Sequence, residues 1–231
     1  MSVIKQIIED FNSTFVKSNV DHTVKIFTNF KHFMSKIESG NVSFSEALCF
    51  AVLVSISMSF FGELAMLTTK VDVTEYKFRF ATLLTLSMII ICGISFRAAS
   101  AVFGGRGTML KTISGFCFVS LGFILIRLLE LPAMLVRYKT ILTQSVAFER
   151  DVSSEITQNI MNGDVSSASN WLVTIGYGVL AYWTFRMLRI VENLSVPRAL
   201  SASVLGLVII GVAVHYVQNP IVEMLLLSGK T

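Results

Sequence analysis

Apolar residues in this chain gather into five long stretches, at about residues 45–67, 80–96, 112–131, 171–188 and 199–217. A helix rises 1.5 Å per residue, so ~20 such residues cover the ~30 Å of a bilayer's hydrocarbon core. The pattern predicts an all-α polytopic transmembrane helix bundle with five spans. Ser43-Phe44-Ser45-Glu46 opens the first stretch with an N-capping serine and an acid in the first turn. Pro132 stands where the third should close or kink.

Before the first span, residues 1–43 alternate polar and apolar positions, and two short amphipathic helices are predicted there. Ile4, Ile7, Ile8, Phe11 and Phe15 recur at helical spacing, as do Val24, Phe27, Phe30, Met34 and Ile37, with Lys5, Lys17, Lys25, Lys31 and Lys36 between them. Such a tail suits either the headgroup layer or the protein's own flank. It has no continuous apolar core of the kind a cleaved signal carries, so the first span is expected to direct insertion. Between the third and fourth spans, residues 136–170 form an outer-side polar segment with a helical repeat at Val152, Ile156 and Ile160, and a turn at Asn162-Gly163-Asp164. Residues 218–231 form the C-terminal tail.

Composition agrees with lipid as the surrounding medium. Hydrophobic residues make up 53% of the chain and charged residues 15%, against roughly 45–50% and about 25% in ordinary globular domains. The net charge of +4 has no basic stripe behind it, so nucleic acid is not an expected partner. Its distribution bears on orientation instead. Lys and Arg number eleven in the tail and the connections after the second and fourth spans, against seven on the opposite side. That bias places the N-terminus in the cytoplasm and the C-terminus outside. Sequons at Asn12, Asn41 and Asn193 fall on the side where they would be silent.

The connection Gly104-Gly105-Arg106-Gly107-Thr108, followed by Met109-Leu110-Lys111-Thr112, resembles the glycine turn of the Yip1 family of five-span membrane proteins. Phe30-Lys31-His32-Phe33 leading to Phe44-Ser45-Glu46-Ala47-Leu48 resembles that family's approach to its first span, and Leu194-Ser195-Val196-Pro197-Arg198-Ala199-Leu200 its approach to the fifth. The likeness covers about residues 30–217. It departs at Gly115-Phe116-Cys117-Phe118, where the family often carries a proline. The resemblance implies a five-helix bundle with a cytoplasmic N-terminus. In eukaryotes the family is linked to Rab GTPases and Golgi traffic. The short tail looks more like bacterial members, which implies the bacterial inner membrane and no Rab role.

Chemistry is sparse. The glycine turn Gly104, Gly105 and Gly107 lacks the Gly-Lys-Ser/Thr that lets a P-loop hold phosphates and Mg²⁺, and reads as an inter-span turn. Cys49, Cys92 and Cys117 lie in apolar runs and are expected to be buried and inert. His22, His32 and His215 lack carboxylates at ligand spacing, so no metal or other cofactor is expected. No nucleophile stands in a recognisable elbow, and no catalysis is expected.

Ionisable groups inside spans are costly and deserve weighing. Rise arithmetic places Glu63 at about 27 Å, Arg127 at about 22 Å, Glu130 at about 27 Å and His215 at about 24 Å from the cytoplasmic ends of their helices. Arg127 and Glu130 share a face at i, i+3, and Glu63 is a possible second partner. Snorkelling to the outer headgroups, a clamp between helices, and a polar path for a proton or small solute all fit that level. Ser55, Ser59 and Gly62 on the first span, and Ser203 and Gly206 on the fifth, form small-residue faces suited to close packing, within the chain or between copies. Trp171, Tyr182 and Trp183 suit interface anchors at the fourth span. The function expected is that of a non-catalytic scaffold or accessory subunit binding membrane lipids and other membrane proteins or itself. The alternative is a small-solute or ion transporter built on the Glu63, Arg127, Glu130 and His215 cluster.

Overall fold

The structure is a computed structural model and describes residues 17–69, 78–132, 135 and 164–218. Those residues form helices and connections, with no strand among them. In chain order the helices are α1 (17–28), α2 (Phe30–Glu38), α3 (Phe44–Thr69), α4 (Phe78–Val102), α5 (Met109–Val119), α6 (121–132), α7 (Asp164–Val191) and α8 (Val196–Ala213), the last continued by a π-turn at Val214–Gln218. The predicted apolar repeat from Ile4 to Phe15, and that at Val152, Ile156 and Ile160, lie outside the described residues, as do the Asn162-Gly163 half of the predicted turn and residues 219–231.

Local signals set the helix boundaries. Ser43 Oγ accepts from the Glu46 amide at 3.2 Å and the Glu46 carboxylate accepts from the Ser43 amide at 3.1 Å. This reciprocal box satisfies two of the donors that the start of α3 would otherwise leave orphaned. The second tail repeat does not form one helix. The chain breaks at Asn29, with φ −146°, whose side chain caps α2. The apolar set is therefore divided: Met34 and Ile37 are buried while Val24 and Phe27 face outward, and Ile26 and Phe33 take the inner places. The third apolar stretch is interrupted at Ser120, whose carbonyl accepts from Phe123, three residues on, and helix continues as far as Pro132.

Among the described residues, four helices are long and apolar enough to cross a membrane: Phe44–Leu64, Phe78–Val102, Met109–Pro132 and Val196–Gln218. The helix α7 has length to spare at 28 residues. It begins at Asp164, upstream of the expected start at 171, and its Trp, Tyr and Gly residues dilute its hydropathy.

The chain divides into two compact units: Met1–Phe50, Cys92–Phe118 and Phe185–Thr231 in the first, Ala51–Ile91 and Val119–Thr184 in the second. In the first, α5 is buried along most of its length, and Phe118 gathers an aromatic cluster with Phe33 at 4.9 Å, Phe50 at 4.9 Å and His22 at 5.2 Å between centroids. Burial in α8 runs opposite to that of a water-soluble helix. Ala199, Ala202 and Gly206 are inside, whereas Val196, Leu200, Val204, Leu207, Val208 and Val212 are outside, Leu207 at 60% exposure. Small residues inward and bulky aliphatics outward is the arrangement helices adopt when lipid surrounds them. The inner face is tight: a Cβ on Gly206 would stand 2.4 Å from the ring of Phe96 in α4.

In the second unit, Ser55, Ser59 and Gly62 of α3 are buried, and Thr82 of α4 donates to Ser59 Oγ at 3.0 Å. A Cβ on Gly122 would meet Leu180 at 2.8 Å, and one on Gly176 would meet Ile126 at 2.9 Å. Four residues forward on α6 thus match four back on α7, an antiparallel seam.

Of the cysteines, Cys92 and Cys117 are buried, but Cys49 is exposed. The expectation of burial fails there because an apolar run need not be an inner one; when lipid is the solvent, it also covers the outward face.

Candidate functional site

The predicted intramembrane cluster resolves into parts. Arg127 and Glu130 pair at 2.7 Å in the second unit, each side chain partly exposed. Glu63 lies in the same unit, half-buried, and forms no ion pair among the described residues. Arg127 Nε is buried without an acceptor there. His215 belongs to the first unit, where it is exposed on the π-turn and stands edge-on to Tyr216 at 4.7 Å.

The densest polar constellation is elsewhere, at the glycine turn of the first unit. Its centre is Glu192, just past the end of α7 and fully buried. Glu192 Oε2 accepts from Arg97 Nη1 at 2.9 Å and from the Gly107 amide at 2.9 Å. Oε1 accepts from the Thr112 hydroxyl. Its backbone carbonyl accepts from the Arg106 amide at 3.0 Å, and Arg97 also reaches the Gly105 carbonyl at 3.4 Å. One carboxylate thus ties the end of α4, the 103–108 turn and the first helical turn of α5 to the end of α7. Every acceptor direction used carries a donor, as a charge placed this deep requires.

This arrangement explains the glycines. A Cβ on Gly105 would stand 2.7 Å from Glu192 Oε2 and 2.9 Å from the Ser100 carbonyl, and one on Gly107 would be 2.8 Å from both Glu192 Cδ and the Val191 carbonyl. Backbone atoms cannot retreat, so the turn closes on the carboxylate only without side chains. At Gly104 the reason is conformation, because φ is +80°. Asn193, next to the glutamate, takes φ +53° and turns the chain from α7 into α8; asparagine tolerates that region better than most residues.

Sequence reasoning located the turn but not Glu192, Arg97 or Thr112. The available signal was charge inventory: Glu192 is the sole acid among six Lys and Arg residues in 97–111 and 186–200. A lone acid in such company, beside a glycine turn, is a candidate counter-ion.

The site's chemistry is that of a saturated clamp. The hydroxyl of Thr112 is engaged, the carboxylate fully coordinated and the guanidinium paired, which leaves no poised nucleophile or general base. Among the described residues no three His, Cys, Asp or Glu side chains converge as a metal site would require. Outside the helices long enough to cross a membrane, His22 lies between Phe33 and Phe118, with Ser18 at 3.2 Å from Nε2 and Nδ1 without a partner among the described residues. Burial lowers its pKa below 6.5, with smaller opposing effects from Glu46 and Asp21 and further lowering from Lys25 and Lys36.

Comparison with known proteins finds no matching family model, no matching curated protein and no matching solved structure.

Proposed function

We propose that this chain is a five-span integral membrane protein of the Yip1 kind, with its N-terminus in the cytoplasm, acting as a non-catalytic scaffold or accessory subunit for lipids and other membrane proteins. The observation that carries the membrane assignment is the inverted burial of α8, with alanine and glycine inside and valine and leucine outside. In water that surface would be a large exposed apolar patch; in lipid it is ordinary. The fourth span in chain order, added to those four, is α7, whose 28 residues measure about 42 Å at helical rise, enough to cross with tilt. Its Trp171 and Tyr182 face outward, as interfacial anchors do, whereas Trp183 is buried. The amphipathic tail packs one face on the protein and leaves the other to the headgroup region.

Support for a scaffold comes from the clamp, which spends its charge on holding turns in place and presents no reactive group. The transporter reading draws on the Arg127–Glu130 pair. Flux of protons and small solutes into proteoliposomes, with wild type beside Arg127→Ala, separates the two. Flux that the substitution abolishes would overturn the scaffold. Under the scaffold reading no specific flux occurs, and cross-linking in native membranes captures defined membrane partners. Topology is tested by single cysteines at Thr108, exposed in the same turn, and at Asp164 in a cysteine-free background: labelling from opposite compartments is expected, and labelling from one would refute five spans.

A further inference from the structure

The clamp fixes more than itself. It holds rigid a turn whose outer face carries charge that the fold leaves unused. Arg106 and Arg198 are both exposed, and neither has a carboxylate within salt-bridge distance among the described residues. Both stand at the same turn: Arg198 Nη1 lies 3.8 Å from where a Cβ on Gly104 would stand, and Arg106 follows two residues along the chain. Glu192, the acid behind the turn, is buried and already neutralised by Arg97. Guanidinium forks with no carboxylate partner among the described residues, carried on a turn that the clamp ties down, suit a phosphate, whose oxygens accept paired N–H donors.

Exposed aliphatic side chains stand close to these arginines along the chain. Val102 is 70% exposed, Leu110 56% and Leu200 59%, each within four residues of Arg106 or Arg198. A soluble acidic peptide would answer the charge and leave these side chains in water. A diacyl phospholipid answers both, with phosphate at the guanidiniums and hydrocarbon against the aliphatic side chains.

We propose that the Arg106–Arg198 face of the glycine turn binds the headgroup of an anionic phospholipid, whose acyl chains run along the outward sides of α4 and α8. The inference rests on the membrane reading above and deepens it by naming the lipid class and the residues that choose it. The buried clamp is the positioning device: without it the turn would carry the same charges but not hold them together. Lipid selection here is electrostatic and directional, so charge alone should recover only part of it.

The test uses the full chain in neutral detergent, titrated with phosphatidylglycerol, phosphatidylcholine or inorganic phosphate, with bound lipid read by native mass spectrometry and thermal stability followed in parallel. Phosphatidylglycerol is expected to bind and raise the melting temperature, and phosphatidylcholine to do so far less. Each arginine lost should weaken phosphatidylglycerol binding about five-fold, and R106Q/R198Q about thirty-fold. R106K/R198K should fall between wild type and the glutamine pair, since lysine keeps charge without the fork. Both residues are exposed, so the lipid-free melting temperature of the double variant should match wild type, which separates lost binding from lost folding. Equal binding of the two lipids, wild-type binding by R106Q/R198Q, or equal stabilisation by inorganic phosphate would overturn the proposal. Failure of the membrane reading would look different: the protein would leave vesicles on alkaline carbonate extraction, whatever their lipid.

Discussion

Replacing Glu192 with alanine is the sharpest test of the clamp. The variant removes three side-chain interactions at once, leaving the Gly107 amide without its acceptor, the Thr112 hydroxyl with only the Thr108 carbonyl and Arg97 with only the Gly105 carbonyl. Removing one partner of a buried ion pair costs about 3–5 kcal/mol, because the other charge is left uncompensated. The Arg97 side chain retains 21% exposure while Glu192 has none, so water relieves some of the cost and the lower half of that range is expected. For a chain of this length each kcal/mol moves the melting temperature by about 2–4 °C, which gives a fall of about 6–16 °C. The assay is thermal unfolding of the purified chain in detergent, with Arg97→Met and the double variant completing a cycle. If the pair is coupled, Arg97→Met/Glu192→Met should be more stable than Glu192→Met alone, because the orphaned charge is gone. A drop under about 2 °C for Glu192→Ala, or strictly additive single effects, would refute the clamp.

Other positions give independent checks. Gly107→Ala should destabilise by about 1–3 kcal/mol, since the new methyl meets both Glu192 and the Val191 carbonyl at 2.8 Å; unchanged unfolding would show that the turn can move. Gly206→Ala should cost a similar amount through the Phe96 ring at 2.4 Å, whereas Leu207→Ala on the outward face of the same helix should leave the melting temperature within about 1 °C. For His22 the folded-state pKa is depressed, chiefly by burial, so the folded chain binds fewer protons than the unfolded one. Its contribution is complete above pH 6.5 and is lost as pH falls below that value towards the folded pKa. Melting temperature measured from pH 8 to pH 5 should therefore fall more steeply in wild type than in His22→Phe, and parallel curves would count against it. Asn193→Val should cost about 1–2 kcal/mol and Asn193→Gly almost nothing, because only the former is strained at φ +53°.

How far the sequence foretells this structure depends on the range of the signal. Periodicity and caps are local, and they hold: Ser43 caps α3 as expected, the apolar stretches become helices, and Ser55, Ser59 and Gly62 turn inward. The break at Asn29 was hidden because a 3.6-residue repeat runs through it undisturbed while the backbone leaves the helical region. For the candidate cluster the sequence supplies only part of the geometry. Counting residues gives a side chain's height but not its bearing around the helix axis, so Glu63 and Arg127 can share a level without an ion pair. Glu192 escaped notice because its side-chain partners are 80 to 95 residues away, and no spacing rule relates positions so remote. Counting charges for orientation also treated Arg97 as one more solvated cation, when it is the counter-ion of that glutamate.

The distance along the chain between Arg97 and Glu192 also orders events at birth. The two are 95 residues apart, and ribosomes add about 5–20 residues per second, so the arginine precedes its counter-charge by about 5–20 s. During that interval α4 must be tolerated with an unpaired cation, which its position five residues from the end of the helix allows. Only when α7 has been threaded do the two turns lock. The glutamate therefore acts as a completion signal: any truncation before residue 192 leaves a guanidinium and a bare glycine turn for cellular proteases to find.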